Sequence, residues 1–117
     1  MTLTIPYRLP SAANLREHWR VRHRRVQEQR RLVTMFLGSS PRPALPVVVR
    51  LTRVAPRALD GDNLQGAFKA CRDAVATWLG VPDNHPGVAW EYAQARGGAK
   101  EYGIVIEVLA VGTVATL

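Results

Sequence analysis

Hydropathy along the chain changes period several times, and each change predicts an element. Residues 2–9 alternate weakly and carry Pro6, with Pro10 just beyond, which suits an edge strand entering a turn. From Asn14 or Leu15 the period becomes helical through about Leu37. Leu15, Trp19, Arg22, Val26, Gln29, Val33 and Leu37 trace one stripe, with Leu32 and Phe36 beside it. Arginines 16, 20, 24, 30 and 31 then fall largely outside the buried side, and Gly38 followed by Ser39, Ser40 and Pro41 stops the helix.

Residues 45–54 are rich in valine and read as a strand. Arg50 and Arg53 have opposite parity in it, which predicts a bulge or partial exposure near its end. After a loop at 55–61, a second helix is expected over roughly 63–79. Its best N-cap is Asp62, with Asp60 and Asn63 as alternatives. Leu64, Ala67, Phe68, Cys71, Val75, Trp78 and Leu79 form its apolar face; Asp62, Gly66, Lys69 and Asp73 stand opposite, and Gly80 closes it. Strands follow at 87–95 and 101–110, separated by Arg96, Gly97 and Gly98, and are expected to form a hairpin or to be neighbours.

The order β-α-β-α-β-β predicts a single α/β domain over residues 1–117, a small mixed sheet with two main helices. A hydrophobic fraction of 47% fills one core, but 117 residues is small enough that a second subunit is expected to complete it. The single cysteine, Cys71, excludes an internal disulfide and a multi-cysteine zinc site, and it sits on the apolar side of its helix. Neither a signal-peptide pattern nor a membrane-length apolar run is present, so a soluble cytoplasmic protein with no membrane partner is expected.

Charge narrows the function. Residues 1–43 carry nine arginines against Glu17 and Glu28, whereas residues 44–117 carry seven basic and seven acidic groups. The excess positive charge lies in the first third, as suits a protein that meets phosphates. Against this background Asp60 and Asp62 form an acidic focus. They are two residues apart, so in extended backbone they face one side. Their repulsion is relieved by a cation, and magnesium needs only one or two protein carboxylates plus substrate phosphate. Lys69, seven residues on, returns to nearly the same helix angle. It is positioned to meet the metal region or an adjacent phosphate, or else to pair with Asp73. Asp83, in the next loop, is a third candidate ligand. His18, His23 and His85 lack zinc spacing, and no Gly-rich phosphate loop points to a nucleotide cofactor.

The segment LDGDNLQGAFKACRDAV, Leu59–Val75, followed by LGVPDNHP, resembles the core of the RusA-like Holliday junction resolvases, in particular a phage or prophage branch. LPSAANLREHW near the start and the late WEYAQARGG and KEYGIVIEV resemble it too, so the likeness covers nearly the whole chain. The resemblance implies an α/β homodimer that cuts branched DNA with magnesium or manganese, with Asp60, Asp62 and Asp83 as essential carboxylates and Lys69 as the active-site lysine. The family's lysine comes one turn earlier, where this chain has Gly66; many relatives have paired aspartates where it has Pro82 and Asp83. If the metal needs another oxygen ligand, Glu91 on the following strand or water could supply it. Arg16, Arg20, Arg24 and Arg25 are candidates for binding the flanking DNA backbone. The competing expectation is a structural or regulatory DNA-binding module in which the acidic residues only cap and orient a helix.

Overall fold

The computed structural model describes residues 1–10 and 18–111. Four strands and three helices follow in the order β1 (Thr2–Ile5), α1 (Trp19–Leu37), β2 (Val47–Ala55), α2 (Gly61–Ala67), α3 (Lys69–Leu79), β3 (Val88–Arg96) and β4 (Gly103–Ala110). They build one mixed sheet in the order β1-β4-β2-β3, with β2 and β3 parallel and the other neighbours antiparallel. An α/β class with a mixed sheet is therefore present. The expected hairpin is not: β2 lies between β3 and β4. Gly97 N–H still donates to the Ala55 carbonyl at 3.0 Å, extending the β2–β3 ladder, before the chain turns back toward β4.

Alternation along β2 sorts the two faces of the sheet. Val47, Val49, Leu51, Arg53 and Ala55 are buried, and Ile104, Ile106 and Val108 of β4 join them in a core with Val33, Leu37, Phe68, Cys71, Val75 and Leu79 from the helices. No bulge interrupts β2, which pairs residue for residue with β3 from Val47 to Ala55. Arg53 instead points inward. Its Nε donates to the Leu9 carbonyl at 3.2 Å and its Nη1 to the Arg57 carbonyl at 2.6 Å, so the buried guanidinium keeps acceptors. Burial nevertheless lowers its pKa from the ordinary arginine value. Arg50, on the helix-free face, is held between Glu91 at 2.9 Å and Glu107 at 3.7 Å.

The expected stripe on α1 holds only at its C-terminal half. Gln29, Val33 and Leu37 are buried, but Trp19 is 67% exposed and Arg22 is exposed as well. The described helix starts at Trp19, with His18 as its N-cap: His18 Nδ1 accepts from Arg20 N–H at 3.2 Å.

The expected helix over 63–79 is two helices meeting at Phe68, whose φ of −88° and ψ of 0° leave the helical range. Gln29 accounts for the corner. It is 2% exposed, and its Oε1 accepts the Cys71 N–H at 2.9 Å. In an unbroken helix that N–H would go to the Ala67 carbonyl, and a side chain inserted into the ladder is a recognised cause of a kink. Gln29 thus caps α3 from a different helix. Gly80, at φ 79° and ψ 21°, ends α3 in the left-handed region with its N–H on Ala76 and Thr77 carbonyls.

Candidate functional site

The acidic focus sits at the head of α2. Asp60, not Asp62, is the N-cap: its Oδ1 accepts the Asn63 N–H at 2.9 Å and its Oδ2 the Asn63 Nδ2 at 2.9 Å. Asp62 follows in the first turn, exposed, with no hydrogen bond or ion pair among the described residues. A carboxylate in a first helical turn lies favourably in the helix dipole, so the pair is accommodated without a counter-ion.

β3 organises what surrounds it. Val88, Trp90, Tyr92 and Gln94 share the helix side of this edge strand, and three of them reach into the site by hydrogen bonding. Gln94 clamps the backbone just before Asp60, its Oε1 accepting Leu59 N–H at 2.8 Å and its Nε2 donating to the Leu59 carbonyl at 2.7 Å. The Tyr92 hydroxyl accepts from Arg72 Nη1 at 2.9 Å, and Trp90 Nε1 donates to the Asp83 carbonyl at 2.8 Å. One strand therefore fixes the β2–α2 loop, α3 and the loop after α3.

Asp83 is bound to Arg72. Arg72 Nε donates to its Oδ2 at 2.9 Å and Nη2 to its carbonyl at 3.2 Å, while the guanidinium carbon lies 4.7 Å from the Trp90 ring centre. Burial works against the Arg72 charge, but the Tyr92 hydroxyl and the Asp83 carboxylate more than offset it, and its pKa is raised. Asp83 Oδ1 makes no hydrogen bond among the described residues. Glu91 lies on the opposite face of β3, paired with Arg50, and so takes no part here.

Among the described residues no group of three or more His, Cys, Asp or Glu side chains is arranged to hold a metal. Asp60, Asp62 and Asp83 thus form no closed cage within one chain. Their chemistry still suits magnesium in an open site, because the donors are hard carboxylate oxygens, Asp62 is unpartnered, and magnesium draws part of its shell from water and substrate phosphate.

Two basic hollows adjoin the focus. Between α1 and the α2–α3 corner lies a groove of about 400 Å³, with Arg22, Arg25 and Gln29 on one wall and Gly66, Lys69 and Asp73 on the other. At the far end of α2, a hollow of about 290 Å³ is lined by Arg53, Arg57, Gln94 and Arg96 among others. Lys69 faces the groove and forms no ion pair with Asp73. Of the proposed DNA-binding arginines, Arg25 lines the groove, Arg24 lies on another flank of α1 beside Arg30 and Arg31, and Arg20 stacks on Trp19 at 5.3 Å. Arg16 lies outside the described residues.

Sequence reasoning misses Arg22, Arg57, Arg72, Trp90, Tyr92, Gln94 and Arg96. The available signal is the parity of Trp90, Tyr92 and Gln94, three side chains with hydrogen-bonding tips on the core side of one strand. Compared with known proteins, the chain matches no family model and no curated sequence. No helix among the described residues is long and apolar enough to cross a membrane.

Proposed function

We propose that the protein is a magnesium-dependent endodeoxyribonuclease that cuts Holliday junctions or related branched DNA by phosphodiester hydrolysis. The observation that carries this reading is the exposed, unpartnered Asp62 beside Asp60, at the head of a helix flanked by two arginine-lined hollows. A polyanion is attracted by the hollows and repelled by the carboxylates, a conflict that a divalent cation at the carboxylates removes.

Asp60 and Asp62 would hold magnesium or manganese, with Asp83 adding Oδ1. When bound, the ion neutralises phosphoryl charge and lowers the pKa of a coordinated water. The chain's own residues do the rest. Gln94 fixes Leu59 and thereby the path into Asp60, Arg72 and Trp90 fix Asp83, and Lys69 neutralises a phosphate oxygen. Arg20, Arg24 and Arg25 on α1, with Arg16 before it, meet the flanking backbone. A homodimer would present two such sites to opposed strands of a junction, and a cytoplasmic location would suit that substrate.

A second reading is a DNA-binding module without catalysis. It is favoured by the capping bonds of Asp60 and by the pairing of Asp83 with Arg72, since both carboxylates already have structural work. Incision of a labelled four-way junction with magnesium separates the two. Paired, magnesium-dependent cuts that vanish in Asp62→Asn while binding persists support the nuclease; binding with no incision in magnesium or manganese refutes it.

A further inference from the structure

The acidic pair lies between two basic hollows, one at each end of α2. Arg57 and Ala58 belong to the first, just before the pair, and Gly66 and Ala67 to the second, just after it. α2 has 7 residues, so the hollows are separated by about 10 Å at 1.5 Å per residue. That leaves room for one further phosphate between them on a single strand.

Two observations indicate that both hollows are built for a ligand. The side chains of Arg22 and Lys69 in the groove, and of Arg57 and Arg96 in the hollow, are all exposed and make no hydrogen bond or ion pair among the described residues. Exposed cations without a side-chain partner occur elsewhere among the described residues too, at Arg24, Arg31 and Lys100, whereas Arg50 and Arg72 have carboxylates at 2.9 Å; the four in the hollows are set apart by flanking Asp60 and Asp62. Asp73 is the one acidic side chain lining either hollow, so cations outnumber it. Gly66 is the second observation. Its backbone is helical, and a Cβ there would meet nothing within 4 Å, so neither conformation nor packing requires glycine. Glycine is a poor helix former, and its use over the floor of the groove leaves room for a close approach to the backbone.

We infer that the two hollows are phosphate subsites on one track. A single DNA strand crosses α2 with one phosphate held by Arg57 and Arg96, another by Arg22 and Lys69, and the intervening phosphate facing Asp60 and Asp62. This rests on the nuclease reading and adds which residues hold the strand on either side of the scissile bond. Lys69 accordingly serves the groove phosphate, not the one being cut.

The test measures binding of a fluorescein-labelled four-way DNA junction by proteins carrying Asp62→Asn, in EDTA and as a function of salt, so that neither cleavage nor the full repulsion of the carboxylate pair enters. Each phosphate contact contributes about 0.9 to the slope of log K against log salt. Arg22→Gln with Lys69→Gln should make the slope shallower by about one, Arg57→Gln with Arg96→Gln by about one, and all four together by about two. Arg50→Gln, on the helix-free face of the sheet, should leave it within about half a unit. Gly66→Leu should keep or raise the thermal midpoint while weakening binding severalfold. An unchanged slope in either double variant, or an equal loss in the Arg50 control, overturns the track. If the slopes change as expected but the wild-type protein never cuts the junction with magnesium, the nuclease reading falls and the two phosphate subsites stand.

Discussion

Replacing Gln29 with leucine isolates the bond that bends α2 away from α3. Leucine has nearly the same volume, so packing is kept while both polar functions of the amide are lost. Gln29 and Cys71 are 2% and 0% exposed, so no water replaces the Oε1 acceptor and the Cys71 N–H is left without it. An orphaned buried donor costs about 1–3 kcal/mol. Tyr7 loses a partner too: burial raises its hydroxyl pKa, and the Gln29 hydrogen bond works against that rise. The net expectation is a loss of about 2–3 kcal/mol. With 117 residues and about 2.1 cal/mol/K of unfolding entropy per residue, this lowers the thermal midpoint by roughly 8–12 °C. Urea melts of both proteins measure it directly, and amide exchange locates it, since the Cys71 N–H should lose protection beyond the global change. Stability within about 0.5 kcal/mol of wild type, with an unchanged m-value, would refute the assignment of the corner to this bond.

The two aspartates at the head of α2 should respond differently. Asp60→Ala removes the N-cap and is expected to cost about 1 kcal/mol in a urea melt, whereas Asp62→Asn should change stability by less than about 0.5 kcal/mol. Arg72→Lys keeps the charge but loses the fork on Asp83 and Tyr92 and the stack on Trp90. Because Asp83 is 44% exposed, the ion pair itself contributes little, and a total loss of about 1–2 kcal/mol is expected. Trp90 emission should shift with it, measured in a Trp19→Phe, Trp78→Phe background; unchanged emission would place the guanidinium elsewhere. Burial pushes the Cys71 thiol from 9.0 up to about 12, so the folded chain keeps a proton that the unfolded chain gives up above pH 9. The native pKa is the higher one, so the stabilisation is fully present below pH 9 and is lost as pH rises toward about 12, at up to about 1.4 kcal/mol per pH unit. A Cys71→Ala variant, less stable throughout, should decline less steeply in alkaline urea melts; parallel declines would contradict the burial argument.

Periodicity locates elements well here because half-buried strands and amphipathic helices leave a strong local signal. The strands at 88–96 and 103–110 begin and end within two residues of expectation. Partners are another matter. Two strands joined by a Gly-rich turn carry the signature of a hairpin whether or not a third strand slips between them, and the insertion of β2 is decided by contacts far apart in sequence. Arg53 illustrates the same limit. Its parity is legible, but the carbonyls of Leu9 and Arg57 that make its burial tolerable are not. At the site, the acidic spacing is visible in the chain, while the choice of Asp60 as cap is settled in the fold. Gln94, thirty-five residues away, holds Leu59. Arg72 is hidden for a similar reason, since nothing local tells an arginine on a helix that Tyr92, Trp90 and Asp83 will surround it.

The position of β4 governs when the protein can exist at all. It is the last strand among the described residues, yet it lies between β1 and β2, and even the amino group of Met1 is tied to the Val108 carbonyl at 3.1 Å. During synthesis β1 therefore has no neighbour, and β2 has only β3, until residues 103–110 have emerged. The basic helix α1 is exposed on the nascent chain for that whole interval, while the sheet beneath it waits for its middle member. Folding is slow for the domain's size, because the decisive pairing joins β1 to a strand about a hundred residues on. A chain interrupted before β4 would carry the arginines and the aspartates but no platform to bring them together.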